Sequence, residues 1–198
     1  MRRPRPRSAP DLLAVHAPLR GEAKLRAALA GFDVRVSGRV CLDLGAAAGG
    51  FTRVLLESGA SRVYAVDAGF GQLLGSLRQD PRVVNLEATN VAALDARRVP
   101  DAIEVVTVDV SYLALAAAAA QLDRITLAPG ADLIGLVKPM FELRLATAPT
   151  DPTLVDAATE RAAAGIVAAG WDVIGTMPSP VLGGRGAVEA LLHARRSP

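Results

Sequence analysis

The chain has 198 residues, 51% of them hydrophobic and 21% charged, with 22 basic side chains against 20 acidic and a net charge of +2, a composition that suits one globular domain with a short tail and leaves little room for two. A single cysteine, Cys41, excludes an intrachain disulfide and points to a reducing, cytoplasmic setting, and two distant histidines, His16 and His193, offer no zinc cluster, so no metal is expected. The longest uncharged apolar run, 112–120, is too short for a bilayer, and MRRPRPRSAP is followed by no apolar h-region, so neither a membrane partner nor a signal peptide is expected.

Residues 1–18 open with four arginines and two prolines in the first seven positions, which reads as a disordered basic arm, either a solvated tail or an RNA contact. From Arg20 the pattern becomes regular and is read as one domain, 19–198. GEAKLRAALAGF is a short helix that stops at Gly31. VCLDLG (40–45), RVYAVDA (62–68), RVVNLEA (82–88), IEVVTVDV (103–110) and ADLIGLVKP (131–139) are nearly continuous apolar runs rich in β-branched residues, as buried parallel strands should be. Helical patterns separate them: FTRVLLESG (51–59), GQLLGSLRQD (71–80), VAALDARR (91–98) and the alanine-rich 112–125. A long helix over 151–170 follows, begun by Asp and Pro and ended by Gly170, and then a sixth strand, WDVIGTM (171–177). Alternation at this spacing predicts an open parallel α/β sheet. Periodicity alone leaves VEALLHAR (188–195) open between helix and strand.

Two constellations carry chemistry. DLGAAAGGF, from Asp43 to Phe51, joins the first strand to a helix, and its glycines allow a sharp turn and close approach of a ligand. Its G-x-x-x-G-G spacing lacks the dinucleotide fingerprint, while Asp67 ends the second strand 22 residues after Gly45, where a carboxylate can accept hydrogen bonds from ribose hydroxyls. A nucleoside without phosphates fits that pair best, with a pyrophosphate cofactor as the alternative, and S-adenosyl-L-methionine is the expected cofactor. Its candidate ligands are Asp43, Gly45, Ala47, Gly49, Gly50, Phe51, Asp67, Phe70, Asn90 and Asp109, with Phe51 equally readable as core. The second constellation is Asp109 in TVDVSY and Lys138 in LVKPMFE, ionisable residues closing apolar strands at the edge where such sheets bind ligands. Of the 22 basic residues 20 are arginine and only Lys24 and Lys138 are lysine. In a chain that writes arginine almost everywhere, a lysine marks a place where its different hydration and proton chemistry matter.

From about Arg20 to Arg195 the chain resembles the catalytic domain of the FtsJ-like RNA ribose 2′-O-methyltransferases, in the TlyA or haemolysin A branch. LRGEAKL, VSGRVCLDLGAAAGGFTRVLLESGASRVYAVDAGFGQL, LRQDPRVVNLEATNV, VDVSYLAL, LVKPMFE and SPVLGGRGAVEALLHAR carry that resemblance in order. It implies a Rossmann-like class I S-adenosylmethionine-dependent methyltransferase fold, a mostly parallel seven-stranded sheet whose last strand, VEALLHAR, is antiparallel. It also implies a catalytic tetrad at Lys24, Asp109, Lys138 and Glu189, and cytidines of ribosomal RNA as substrate. Lys138 would then stabilise the attacking 2′-oxygen or take its proton, with Lys24 as the neighbouring cation that eases that loss, Asp109 orienting Lys138, and Glu189 closing the network. Members of this branch usually carry an N-terminal S4-type RNA-binding domain, where this chain shows the basic tail. Leu19, Arg20, Gly21 and Glu22 stand where the family has Ser-Arg-Gly-Gly, and Ala46, Ala47 and Ala48 stand where small polar residues are common. A methyltransferase acting on another RNA or on a small alcohol, and a non-catalytic cofactor-binding or haemolysin-like interaction protein, are the competing readings.

Overall fold

A computed structural model describes residues 18–151 and 153–197; apart from Pro18 the basic tail read over 1–18 lies outside them. Seven strands form one sheet in the order β3-β2-β1-β4-β5-β7-β6: β1 (Val40–Leu44), β2 (Arg62–Val66), β3 (Val83–Leu86), β4 (Ile103–Val108), β5 (Leu127–Val137), β6 (Trp171–Pro178) and β7 (Ala190–Arg196). β1 to β5 run parallel, and β7 lies antiparallel between β5 and β6. VEALLHAR is therefore the antiparallel strand that the resemblance implied.

Side chains alternate between two buried layers, as the period of a strand requires. On one face Cys41, Val63, Ala65, Val105, Ile134 and Leu191 pack with α1 (Arg20–Gly31), α2 (Gly50–Glu57) and α3 (Gly75–Arg78). On the other, Leu42, Tyr64, Val106, Leu133 and Leu192 pack with α4 (Leu115–Ala119) and α6 (Thr153–Ala168). Between these two helices, α5 (Pro139–Glu142) is a single turn directly after Lys138. None of the described helices is long and apolar enough to cross a membrane.

Two expected helices shrink. Of 71–80 only the turn α3 forms, because the N–H groups of Gln72 and Leu73 donate to the Glu87 carboxylate and that of Leu74 to the Ala48 carbonyl. Of 91–98 only a 3-10 turn, Val91–Ala93, remains. Asn90 accepts from Ala92 N and Asp95 from Arg97 N and Arg98 N, so short polar side chains take the donors a helix would use. The alanine-rich segment likewise splits into α4 and a 3-10 stretch, Ala120–Arg124.

Candidate active site

Because β1, β2, β4 and β5 are parallel, their C-terminal ends open on one edge. After β1 the chain turns at Gly45 with φ +89°, and a Cβ there would stand 2.6 Å from the Asp109 carbonyl oxygen, so only glycine fits. Gly45 and Ala46 donate to the Val66 carbonyl at 2.9 and 3.0 Å, and Ala47 donates to Asp67 Oδ2 at 2.8 Å. Asp67 Oδ1 accepts from Gly69 N at 2.7 Å, so this half-buried carboxylate pins the turn while each oxygen keeps a second lone pair for a ligand. Beside it lies a cavity of about 210 Å³ with apolar walls from Val66, Val91 and Val110 and polar groups from Asp67, Thr89 and Ser111. An apolar slot beside a carboxylate that is hydrogen-bonded to a glycine turn suits the base and the ribose hydroxyls of an adenosine. Arg20, Gly21, Ala48, Gly50 and Phe51 line a second cavity on the other side of the turn, and Gly45, Ala47 and Asp109 belong to both.

Four of the candidate cofactor ligands lie elsewhere. Asp43 is fully buried beneath the turn, where its carboxylate accepts from Thr52 Oγ1 at 2.6 Å and Thr107 Oγ1 at 2.9 Å. Burial pushes its pKa up to about 6 against the opposing pull of those two hydrogen bonds. Gly49 faces away from the cavities, with φ +98° and a Cβ position 2.2 Å from Leu77 Cδ1, so its lack of a side chain serves packing. Phe70 is 83% exposed and lines neither cavity, and exposed Asn90 is occupied as the cap of the 3-10 turn. Phe51 is 4% exposed in the core and also stands at the wall of the second cavity.

The tetrad positions assemble as two ion pairs. Lys138 Nζ sits 2.6 Å from Asp109 Oδ1 and donates to Val110 O at 3.0 Å and Ser111 Oγ at 2.9 Å, with Asp109 O at 3.4 Å. Lys24 Nζ meets Glu189 Oε2 at 2.5 Å, and both side chains are almost wholly buried, joining α1 to the start of β7. Gly183 closes over this pair, since a Cβ there would lie 2.2 Å from Glu189 Oε1. Lys138, Ser111 and Glu189 line a third cavity whose apolar side comes from Met140, Phe141 and Pro149. Lys24, expected as the cation beside Lys138, has its charge matched by Glu189 at contact, so the pair presents little net field.

Two residues of this edge escaped the sequence reading. Ser111, two positions after Asp109, lines both the first and the third cavity and holds Lys138. Glu142, buried on α5, accepts Leu115 N at 2.7 Å and so ties the turn after Lys138 to the start of α4. The signal for each was its place inside VDVSY and VKPMFE, beside an ionisable residue at a strand end.

The FtsJ-like methyltransferase sequence model matches residues 18–196. The chain belongs to the FtsJ-like methyltransferase family. It is 40% identical over 181 residues to the 16S/23S rRNA (cytidine-2′-O)-methyltransferase TlyA of Mycobacterium tuberculosis, covering 89% of this chain and 67% of that protein. With Hemolysin A of Brachyspira hyodysenteriae it shares 32% over 184 residues, 88% of this chain and 75% of the other. A hemolysin candidate from Streptococcus thermophilus superposes with a TM-score of 0.84 at 35% identity, over 90% of this chain and 66% of that one. The chain thus spans about two thirds of the length of two of these relatives. Fibrillarin of Aeropyrum pernix, solved with S-adenosyl-L-methionine and only 18% identical, shares the fold at a TM-score of 0.61, over 88% of this chain and 76% of its own.

Proposed function

We propose that this FtsJ-like protein methylates the ribose 2′-hydroxyl of RNA, with cytidine in ribosomal RNA as the target, as the name of the Mycobacterium relative suggests. The observation that carries the reading is the Lys138–Asp109 pair, set where the cofactor cavities meet the cavity of Lys138, Ser111 and Glu189. Gly45 and Ala47 would hold the methionine end of the cofactor, Asp67 its ribose, and Val66, Val91 and Val110 its adenine. The bound sulfonium supplies an electrophilic methyl whose S–C bond breaks with the electron pair staying on sulfur.

The chain's own residues then have to place one oxygen and receive one proton. The ammonium of Lys138 has three N–H donors and four acceptors around it, so it acts here by donation. A 2′-oxygen entering the third cavity takes over the donor now spent on Ser111 Oγ, which aims the oxygen and stabilises its developing negative charge. Asp109 Oδ1 keeps Lys138 in place. Asp109 Oδ2, which accepts no hydrogen bond among the described residues, receives the proton of the 2′-hydroxyl. As the C–O bond forms, that proton becomes strongly acidic, so a weak base such as a carboxylate is sufficient. Lys24 and Glu189 touch neither atom through this route. They fix the floor of the cavity by holding α1 against β7. Alignment of methyl and oxygen supplies much of the rate.

Incubation with methyl-labelled S-adenosyl-L-methionine and, separately, ribosomal subunits, naked rRNA and small alcohols tests the reading. Label is expected in subunits or rRNA. Label confined to small alcohols, or none despite cofactor binding, would overturn it.

A further inference from the structure

Among the described residues six arginines make no ion pair and no side-chain hydrogen bond: Arg20, Arg35, Arg97, Arg144, Arg161 and Arg185. Of these six, Arg20 lines the second cavity, and Arg144 and Arg185 stand on the loops that border the third. Arg144 lies two residues beyond α5, in the turn that follows Lys138, and Arg185 lies in the 3-10 turn Gly184–Gly186, four residues before Glu189. Both are exposed. Both also have left-handed backbone, φ +55° and +57°, a conformation that residues with a Cβ adopt only at a cost. Around Arg144 the N–H of Leu145 reaches back to Met140 O at 2.9 Å, the closing bond of a helix end whose left-handed position is usually glycine. Glycine would relieve both positions, yet each carries the longest cationic side chain available.

The two loops meet at the candidate active site. Val188 N donates to Pro149 O at 3.3 Å, and Met140, Phe141, Pro149, Gly184 and Ala187 line the same cavity as Lys138 and Glu189. The acids nearest that cavity, Asp109 and Glu189, are already matched by Lys138 and Lys24, so the two exposed arginines add net positive charge to the loops that border it. We infer that Arg144 and Arg185 form a phosphate clamp that grips the RNA backbone on either side of the ribose being methylated. This rests on the RNA reading above and gives it the contacts that would orient the strand. The planar guanidinium, always charged and able to bond two phosphate oxygens at once, suits that task better than a lysine. Backbone contacts of this kind set the register of the strand and carry no base identity.

The test uses Arg144→Gly, Arg185→Gly and the double variant, because glycine fits the left-handed backbone and keeps the fold. Arg35→Gly, altered near the N-terminal edge of β1 on the opposite side of the sheet, is the control. Binding of a fluorescent single-stranded cytidine-containing oligoribonucleotide is measured by anisotropy across a salt series. Each clamp variant is expected to weaken binding about tenfold at low salt and to reduce the slope of log affinity against log salt by about 0.7 per arginine. Cofactor affinity stays at the wild-type value and the melting temperature stays at or above it. An unchanged slope in the double variant overturns the clamp, as does absence of oligoribonucleotide binding by the wild-type protein. If the clamp variants lose binding as expected while the wild-type protein places no label on RNA, the clamp stands and the methylation reading falls.

Discussion

Removing one partner of the buried Lys24–Glu189 pair should be among the most damaging single changes to this fold. The two charges stand 2.5 Å apart with side chains 7% and 6% exposed. At an effective dielectric of about 20, contact at that distance is worth roughly 6–7 kcal/mol of attraction. Taking both ions out of water costs several kcal/mol each, so the intact pair contributes little net stability. Glu189→Ala keeps the desolvation of Lys24 and removes the attraction, and should cost about 3–5 kcal/mol. For a domain of this size that lowers the melting temperature by roughly 6–20 °C. Lys24→Met with Glu189→Leu removes both charges and keeps the volume, and should return to within about 1 kcal/mol of wild type. Urea denaturation of the wild type, Lys24→Met, Glu189→Leu and the double variant gives the coupling directly. A cost near that of a surface substitution, about 0.5 kcal/mol, in Glu189→Ala would refute the reasoning. So would a double variant no more stable than the weaker single.

Asp43 should make stability fall as pH rises. Its folded pKa of about 6 lies above the ordinary 3.8, so its contribution is fully present below pH 3.8 and is lost as pH rises through about 6, to the extent of about 3 kcal/mol. Asp43→Asn should remove that component, seen as a flatter profile of unfolding free energy between pH 4 and 7 relative to wild type. Equal slopes would contradict the placement of this carboxyl. Gly45→Ala should abolish cofactor binding in calorimetry and cost several kcal/mol, because its Cβ meets main-chain atoms of Asp109 that belong to the β4 end. Ala47→Gly should stabilise by up to about 1 kcal/mol in thermal melts, since Ala47 holds φ +46°.

The strands were legible because a parallel strand covered on both faces is an apolar run, and β1, β2 and β4 follow those runs to within two residues. β5 begins earlier than its apolar run, at Leu127, because an irregularity lets Leu127 pair with Ile103 ahead of the regular register. β7 was not legible from periodicity: His193 and Arg195 interrupt its pattern, and both are accommodated by the buried Asp132. Asp109 and Lys138 could be found as charges closing apolar strands. Their neighbours could not be paired from the sequence, since Lys24 and Glu189 are 165 residues apart and meet only once α1 packs beside β7. Asp43 misled for the same physical reason. It sits in the glycine motif but is paired in register with Thr107, and only the sheet shows that its carboxylate turns inward to two hydroxyls.

The most direct test of the central claim is mass spectrometry of nucleosides from rRNA after incubation with the protein and S-adenosyl-L-methionine. Wild-type protein is expected to yield 2′-O-methylcytidine, while Lys138→Ala yields none although it binds the cofactor as tightly. Methyl groups found on a base, or undiminished 2′-O-methylcytidine from Lys138→Ala, would contradict the account.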